Sequence, residues 1–237
     1  SQPERIRFDH EATRYLAERG VPVVPPRPKG TGATHTRHAG NIWEIFPFVE
    51  GSAFREGDVE HVAFVGASLA EFHRVGRGFP LRCDKIGVRG ETDLTTMRGL
   101  AREIVSESPE CAEALTRYLD WIREAERELP DISYESLSHT LVHGDIQPAN
   151  ILMAEGRVAA FVDLDWCAWR PATYDLGFAV VFCCSTHATP IRGDDIWSLS
   201  QPLQVDLELV RISSMPMSRS SVYSPWKTGR RSRSRVC

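Results

Sequence analysis

The stretch LVHGDIQPANILM, residues 141–153, places an aspartate and an asparagine inside an otherwise apolar, strand-like run. Asp145 and Asn150 stand five positions apart in this run. Carboxylates and amides are costly to bury unless something binds them. The stretch therefore predicts either that the two side chains meet a ligand or that they form an Asx turn that stabilises a loop.

In a second acidic motif, FVDLDW, Asp163 stands thirteen residues after Asn150. Glu155 and Gly156, between the two motifs, predict a hairpin turn. Alternation along a strand predicts Asp163 and Asp165 on one face, with the intervening apolar residues on the other. Both carboxylates would then face one metal cleft. Phosphoryl transfer needs three oxygen-bearing side chains. One orients the attacking hydroxyl and accepts its proton, and two hold Mg²⁺ on the phosphates.

LVHGDIQPANILM followed by VAAFVDLDWCAWRPATYDLG resembles the aminoglycoside phosphotransferase and choline kinase-like family, which has a protein-kinase-like fold. The resemblance implies that Asp145 is the catalytic base or hydroxyl-orienting group and that Asn150 and Asp163 bind magnesium. It also implies that Asp175, in YDLG, is a structural carboxylate that braces the catalytic loop. The implied cofactors are ATP and Mg²⁺, and the implied partners are a nucleotide and a small-molecule hydroxyl substrate.

Weaker matches extend the resemblance over roughly residues 8–185. LAERGVPVVPP is similar to the family's helix C and the strand after it, WEIFPFVEG to the interlobe hinge, and LAEFHRV to a helix just after the hinge. The hinge match implies that backbone groups of Phe46, Pro47, Phe48 and Val49 receive the adenine.

Two residues beside the main motifs keep two interpretations each. His143 is interpreted as a hydrogen-bonded structural residue in preference to an acid or base. Asp165 is either a supporting or secondary metal ligand or a residue that only shapes the loop.

By this resemblance the fold class is α+β and protein-kinase-like. We expect a partial N-terminal nucleotide-binding lobe with helix C, a hairpin and the hinge (1–50), a mainly helical catalytic lobe with the catalytic hairpin strands (51–210), and a disordered basic Ser/Arg-rich tail (211–237). The expected function is transfer of the γ-phosphate of ATP to a hydroxyl of an aminoglycoside-, choline- or homoserine-type molecule. The alternative is a degenerate kinase-fold fragment with a binding role or no catalytic role. A protein kinase is disfavoured because HGD replaces HRD, DLD replaces DFG and no APE-like motif follows.

The match also lacks parts. A complete kinase of this type has a Gly-rich hairpin and a strand with a phosphate-binding lysine before helix C, whereas this chain starts almost at helix C. Its lysines, Lys29, Lys85 and Lys227, all follow that helix. We therefore expect a fragment with weak Mg-ATP binding and low or absent turnover. For the acid that would pair with such a lysine, spacing favours Asp9 and residue type favours Glu11.

Hydrophobic periodicity predicts the main elements. Apolar residues at helical spacing predict helices in FDHEATRYLAERG, DVEHVAFVGASLAEFHRVG, residues 109–128 and YDLGFAVVFCC. HTLVHGD, NILMAEG and VAAFVDLDW predict strands. IWEIFPFVEG predicts one side of a hairpin whose loose loop is the Gly- and Thr-rich KGTGATHTRHAGN. His35 and His38 fall in that loop without a third metal ligand.

Composition limits the class of protein. The 237-residue chain is 42% hydrophobic, which is enough to bury a substantial core. It has no apolar run long enough to span a membrane, and its first ten residues lack the apolar core of a secretion signal. Its six cysteines show no CxxC or Cys/His ligand spacing. We therefore expect a soluble, cytoplasmic protein without a membrane partner.

Charge is unevenly distributed. The formal net charge is −4, yet the residues from 209 onward include seven basic and no acidic side chains, so the preceding body is strongly acidic. An acidic body argues against nucleic acid as a partner and suits a cationic or polyhydroxylated small ligand. Nucleic-acid binding through the basic tail is the alternative, and it would weaken steeply with salt.

Overall fold

The computed structural model describes residues 2–82, 94–128, 136–187, 189 and 203–214. The helices are α1 Gln2–Glu18, α2 Val59–Gly76, α3 Leu94–Glu107, α4 Ala112–Glu128, α5 Thr173–Cys183 and α6 Leu207–Ser213. The strands are β1 His35–His38, β2 Asn41–Glu44, β3 Ser52–Ala53, β4 His139–Val142, β5 Ile151–Ala154, β6 Arg157–Phe161, β7 Ala168–Pro171, β8 Ser185–His187 and β9 Leu203–Val205. Short 3₁₀ turns occur at Pro109–Cys111, Pro148–Asn150 and Leu164–Trp166.

The sheets are small and antiparallel, and helices pack around them. Strands β3, β5 and β6 form a three-stranded sheet, while β1 pairs with β2, β4 with β7 and β8 with β9. This architecture confirms the predicted α+β class.

Helix α1 begins before the predicted segment and packs one apolar face on the core. Phe8, Ala12 and Leu16 recur every four residues and are almost fully buried, as expected for one face of a helix. Gly20 adopts a φ of 85° just after the helix, a common way for a helix to end. The chain then bonds to β6, because the Phe161 amide donates to the carbonyl of Pro22 at 2.7 Å.

Helix α2 is the central helix of the core. The Asp58 carboxylate caps its start by accepting from the amides of Glu60 and His61 at 3.0 and 3.1 Å, as the acidic start predicted. Its buried residues recur at helical spacing and include Val62, Val65, Leu69 and Phe72. The helix contacts α6, β4 and β6, so it lies directly beneath the strands that carry the predicted catalytic motifs.

The hairpin β1–β2 differs from the prediction. The predicted loose loop contains a strand, because residues 35–38 pair in register with residues 41–44. A two-residue turn joins them, in which Ala39 and Gly40 have φ values of 49° and 79°. Positive φ at both central positions is the turn that matches strand twist, and alanine there gives little sequence signal. His35 and His38 therefore lie on a strand.

The predicted hairpin with its turn at Glu155 and Gly156 is confirmed. Strands β5 and β6 are joined at Glu155 and Gly156, and Gly156 has a φ of 68°. A register shift between Leu152 and Met153 interrupts the pairing. The Val162 amide, directly after β6, donates to the Asn150 carbonyl at 3.0 Å, so the HGDIQPAN and FVDLDW motifs are adjacent in space.

Other differences lie at the periphery. The predicted helix at 109–128 is a 3₁₀ turn followed by α4, and α3 precedes it without having been predicted. Helix α6 includes the first three residues of the predicted tail, 211–213, whereas residues 215–237 lie outside the described part of the chain. No helix within the described ranges is long and apolar enough to cross a membrane.

Candidate active site

The loop after β4 brings the two residues of the opening motif into direct contact. The Asp145 carboxylate oxygen Oδ2 accepts hydrogen bonds from Nε2 of Gln147 and Nδ2 of Asn150, each at 2.7 Å. The same Asn150 nitrogen also donates to the Asp145 carbonyl at 3.0 Å. Both bonds from the Asn150 side chain use its nitrogen, which leaves the amide oxygen Oδ1 directed away from Asp145. The contact thus closes the loop between the two residues.

A buried carboxylate holds this loop from behind. Asp175, in the first turn of α5, is fully buried. Its Oδ2 accepts from the His143 amide and from Nε2 of His73, and its Oδ1 accepts from the Gly144 amide, each at 2.8 Å. Charge-assisted bonds of this kind are stronger than neutral ones. The carboxylate therefore joins α2, α5 and the catalytic loop, which supports the bracing role that we propose for Asp175.

Both ring nitrogens of His143 form hydrogen bonds to backbone groups of the protein. Its Nε2–H donates to the Val162 carbonyl at 3.0 Å, and its Nδ1 accepts from the Asp145 amide at 3.3 Å. Burial lowers the pKa of His143, against the opposing effect of the Asp175 carboxylate. The ring is therefore neutral with both nitrogens occupied, which favours the structural interpretation over a role as acid or base.

Gly144 explains why the motif reads HGD. Its φ of +88° lies in the region that side chains rarely adopt. A Cβ at this position would also lie 2.2 Å from the Trp166 carbonyl oxygen. Backbone conformation and packing therefore both require glycine here, and they hold the loop tightly against the 3₁₀ turn that follows Asp163.

The alternation predicted for FVDLDW is wrong, because strand β6 ends at Phe161, the first residue of the motif. Asp163 instead takes a left-handed conformation (φ 62°, ψ 66°), and Asp165 lies in the 3₁₀ turn after it. The two carboxylates nevertheless line the same cavity. The Val162 amide donates to the Asn150 carbonyl at 3.0 Å, which places Asp163 beside the catalytic loop. Partial burial and the charge of Asp165 raise the pKa of Asp163.

This cavity has a volume of about 910 Å³ and connects the acidic turn with the hinge. Lining residues come from α1, from β2, from the hinge, and from the segments around β5 and β6. Phe46, Pro47, Phe48 and Val49 all line it. Phe48 is 90% exposed and Phe46 is 50% exposed, so this wall is an apolar surface open to a ligand.

Helix α1 contributes Asp9, which the sequence singled out, and two lining residues that it did not, Arg5 and Thr13. Arg5, Asp9 and Thr13 are spaced by four residues and all line the cavity, because residues at this spacing share one helix face. Asp9 therefore faces the cavity, whereas Glu11 pairs with Arg7 at 3.4 Å outside the described lining. Helical periodicity counted from Asp9 could have identified the other two residues.

His10 and Glu44 form another missed pair in the lining. His10 Nε2 lies 3.0 Å from the Glu44 carboxylate, and Nδ1 lies 2.6 Å from the Thr34 hydroxyl. Burial lowers the pKa of His10, although Glu44 opposes the shift. A neutral ring that donates to Glu44 and accepts from Thr34 satisfies all three groups. The pair fastens α1 to the β1–β2 hairpin. The sequence gives no sign that these two residues meet, because their contact depends on how α1 packs against the hairpin.

The donor set suits a hard cation bound together with a ligand. Among the described residues, no group of three or more His, Cys, Asp or Glu side chains is arranged to hold a metal ion alone. Asn150 and Asp163 provide an amide oxygen and a carboxylate, which are donors that Mg²⁺ accepts. Mg²⁺ usually takes only one or two protein ligands and completes its shell with phosphates and water. These two residues therefore fit a magnesium ion that arrives with a nucleotide.

Solved structures with this fold define its class. The spectinomycin phosphotransferase APH(9)-Ia, in complex with ADP and spectinomycin, matches 90% of this chain and 64% of its own at a TM-score of 0.58 and 12% identity. The GDP and kanamycin complex of APH(2″)-IIIa matches 90% of this chain and 72% of its own at a TM-score of 0.52 and 18% identity. The fold is that of the protein-kinase-like small-molecule phosphotransferases.

The chain belongs to the phosphotransferase enzyme family APH, which matches residues 1–196. A homoserine kinase from Bradyrhizobium sp. (strain BTAi1) is 27% identical over 172 residues, which are 72% of this chain and 50% of the relative. Stress response kinase A from Salmonella choleraesuis (strain SC-B67) is 28% identical over 177 residues, 73% of this chain and 51% of the relative. The chain spans about half the length of the curated relatives that it matches.

Proposed function

We propose that this chain carries the catalytic site of an ATP-dependent small-molecule kinase, which transfers the γ-phosphoryl group to a hydroxyl of its substrate. One observation carries the proposal. Asp145 contacts Asn150 directly, and Asp163 lies beside them on a cavity whose other wall is the hinge. Asp145 and Asn150 are not themselves among the described lining residues of that cavity, so the adjacency of their loop to Asp163 is what supports phosphoryl transfer, which needs a base and two cation ligands next to a nucleotide surface.

Asp145 is the residue that orients the acceptor hydroxyl and receives its proton. Gln147 and Asn150 both donate to Oδ2 of its carboxylate, so the side chain is held in one orientation before substrate arrives. The second oxygen, Oδ1, is the proton acceptor. General-base catalysis of this kind contributes about 10²–10⁴-fold to a rate.

Asn150 and Asp163 are the residues that hold magnesium. When bound, the ion neutralises charge on the phosphate oxygens and orients the transferred group. The hydrogen bonds from Asn150 to Asp145 fix the amide so that its oxygen is the free end. Asp165 is a supporting carboxylate, and Asp175 and His143 are positioning residues that act through the loop backbone.

The hinge residues 46–49 receive the base of the nucleotide. Their apolar side chains line the cavity, and Pro47 has no amide hydrogen, so purine edges bond to the backbone groups of its neighbours. Solved relatives are described as complexes with ADP, GDP or AMP-PNP, which supports a purine nucleotide. ATP is the proposed donor.

The acceptor is a small hydroxyl compound of the aminoglycoside, choline or homoserine type. Homoserine kinases are among the relatives, and the acidic body of the chain is compatible with a cationic acceptor. The site is proposed to work in the cytoplasm, with the nucleotide and the acceptor as its partners.

A binding-only role is the second candidate, because the cavity lining described here is acidic. Asp9, Glu44, Asp163 and Asp165 all line it, which opposes a polyanionic nucleotide unless cations accompany it.

Production of ADP from ATP and MgCl₂ separates the two candidates when it is measured with homoserine, choline, kanamycin and spectinomycin as acceptors. In the kinase, Asp145→Asn lowers acceptor-dependent turnover by about 10²–10⁴-fold and leaves nucleotide affinity nearly unchanged. Asp120→Asn, an exposed carboxylate on α4, is the matched control. Undiminished turnover in Asp145→Asn would refute the role of that residue. Nucleotide binding without turnover for any acceptor would favour the binding role.

A further inference from the structure

The charge of the cavity poses a problem for any nucleotide. Four carboxylates line it, and like charges that face each other across a low-dielectric cleft repel. Besides His10, whose pKa is lowered by burial, Arg5 is the basic side chain in the described lining. A phosphate group in this cavity would therefore meet a positively charged side chain of the described lining at Arg5.

Arg5 lies where the phosphates would be expected. It is one helical turn before Asp9 on the cavity face of α1, and its contacts are with the turn that follows Asp163. Its Nη2 donates to the Asp165 carbonyl at 3.1 Å, and its guanidinium carbon lies 5.8 Å from the centre of the Trp166 ring. The hinge forms a different wall of the same cavity. Arg5 therefore lies at the end of the cavity that contains Asp163, the proposed magnesium ligand.

The partners of Arg5 leave its charge available. The hydrogen bond of Arg5 to Asp165 uses the backbone carbonyl and not the carboxylate, so it does not neutralise the charge of the guanidinium. A guanidinium has five N–H donors in a planar fork that matches phosphate oxygens. One N–H of Arg5 is used by the Asp165 carbonyl, and one face of its guanidinium lies over the Trp166 ring. The remaining N–H donors are left for a ligand. By contrast, the neighbouring Arg7 is 72% exposed and already paired with Glu11.

We propose that Arg5 binds the terminal phosphates of the nucleotide, as a cation that helix α1 delivers to the turn of Asp163. This inference rests on the proposed function, because it assumes a nucleotide between the hinge and that turn. Arg5 would then couple phosphate binding to the position of α1. The competing explanation is a structural latch, in which Arg5 only fastens α1 to the 3₁₀ turn Leu164–Trp166.

A series of ligands that differ only in phosphate number separates the two explanations. Isothermal titration of the 237-residue chain with adenosine, AMP, ADP and AMP-PNP in MgCl₂ gives four affinities for each protein. If Arg5 binds phosphate, Arg5→Gln weakens AMP-PNP by about 10- to 100-fold, the usual range for a charged hydrogen bond. Adenosine binding stays unchanged, and Arg5→Lys recovers part of the AMP-PNP affinity.

Arg7→Gln is the matched control, since it removes the same charge from the same helix outside the cavity. It should leave all four affinities within about twofold. Equal losses for adenosine and AMP-PNP in Arg5→Gln, or no loss for either, would overturn the proposal and leave the proposed function intact. If the unmodified chain binds none of the four ligands, the proposed function itself fails for this chain. Circular dichroism of each variant identifies any loss of folding.

Discussion

The loop after β4, which carries Asp145 and Asn150, and the hinge at 46–49 are built in opposite ways. The loop is saturated with internal bonds: Asp175 is fully buried and holds two of its amides, and Asn150 closes it onto Asp145. The hinge instead exposes Phe48 at 90% and Phe46 at 50%. The loop is therefore fixed by bonds within the protein before any ligand binds, whereas the hinge presents exposed apolar side chains.

The difference predicts that substitutions in the two regions affect different quantities. Changes in the loop should lower the stability of the fold as well as the rate, because buried polar groups lose their partners. Changes in the hinge should lower affinity and leave stability nearly constant, because exposed side chains contribute little to folding.

Asp175→Ala should give the largest effect. It leaves two loop amides and His73 without their acceptor in a buried position, and breaking a buried charged network costs about 3–5 kcal/mol. Urea unfolding followed by circular dichroism measures the loss, with Asp120→Ala on the surface of α4 as the control. A loss below about 1 kcal/mol would mean that the loop does not depend on this carboxylate.

Gly144→Ala should rank second. Gly156 provides a matched control, since its φ of +68° is also positive but nothing lies within 4 Å of its added Cβ. Gly156→Ala then reports the conformational cost alone, about 1–3 kcal/mol. The overlap with Trp166 should add roughly 1–3 kcal/mol to Gly144→Ala and lower turnover as well. Equal losses in the two variants would show that the turn at Trp166 moves freely.

The pH dependence of stability should show that His143 is neutral in the folded loop. Burial lowers the pKa of His143 in the folded state, so below the unfolded value of about 6.5 only the unfolded chain takes up the proton. Stability should therefore be complete above this pH and decline as the pH falls toward the lowered pKa, by up to about 1.4 kcal/mol per pH unit.

His143→Gln is the variant that isolates this proton. His10 shifts in the same direction but is present in both proteins, so it cancels when their slopes are compared. Urea unfolding between pH 5 and 7, without divalent cations, should give a smaller slope for His143→Gln. An unchanged slope would indicate that His143 is charged in the folded state.

Phe48→Ala should have the smallest effect on stability, within about 0.5 kcal/mol, and should weaken AMP-PNP several-fold by removing apolar contact with the base. Trp121→Ala, at an exposed aromatic residue of α4, is the control, because it should leave both quantities unchanged. A large loss of stability in Phe48→Ala would contradict the prediction that substitutions in the hinge affect ligand affinity and not folding.

Local spacing in the sequence predicted much of the fold. Capping by Asp58 and apolar periodicity identified α2, and the turn at Glu155 and Gly156 identified the catalytic hairpin. The alternation assumed for FVDLDW failed because the strand stops at Phe161, a boundary that local pattern does not fix. Helix α3 has apolar residues at 94, 97, 100, 101 and 104, which is the spacing that predicts a helix.

Contacts between distant segments account for what the sequence did not reveal. His73 lies on α2, 102 residues before its partner Asp175, and the pairing of His10 with Glu44 depends on how α1 meets β2. Arg5 became a candidate only because the cavity collects residues of α1 and of the turn after Asp163. The roles of the motif residues remain proposals that rest on this geometry.

The late position of Asp175 has a consequence for biosynthesis. A ribosome adds about 5–20 residues per second, and Asp175 follows His143 by 32 residues. The HGD segment therefore emerges roughly two to six seconds before the carboxylate that receives its amides. During that interval the nascent chain has every residue of the motif but lacks the carboxylate that receives the His143 and Gly144 amides, so translational pausing within residues 144–175 would prolong exposure to aggregation or proteolysis.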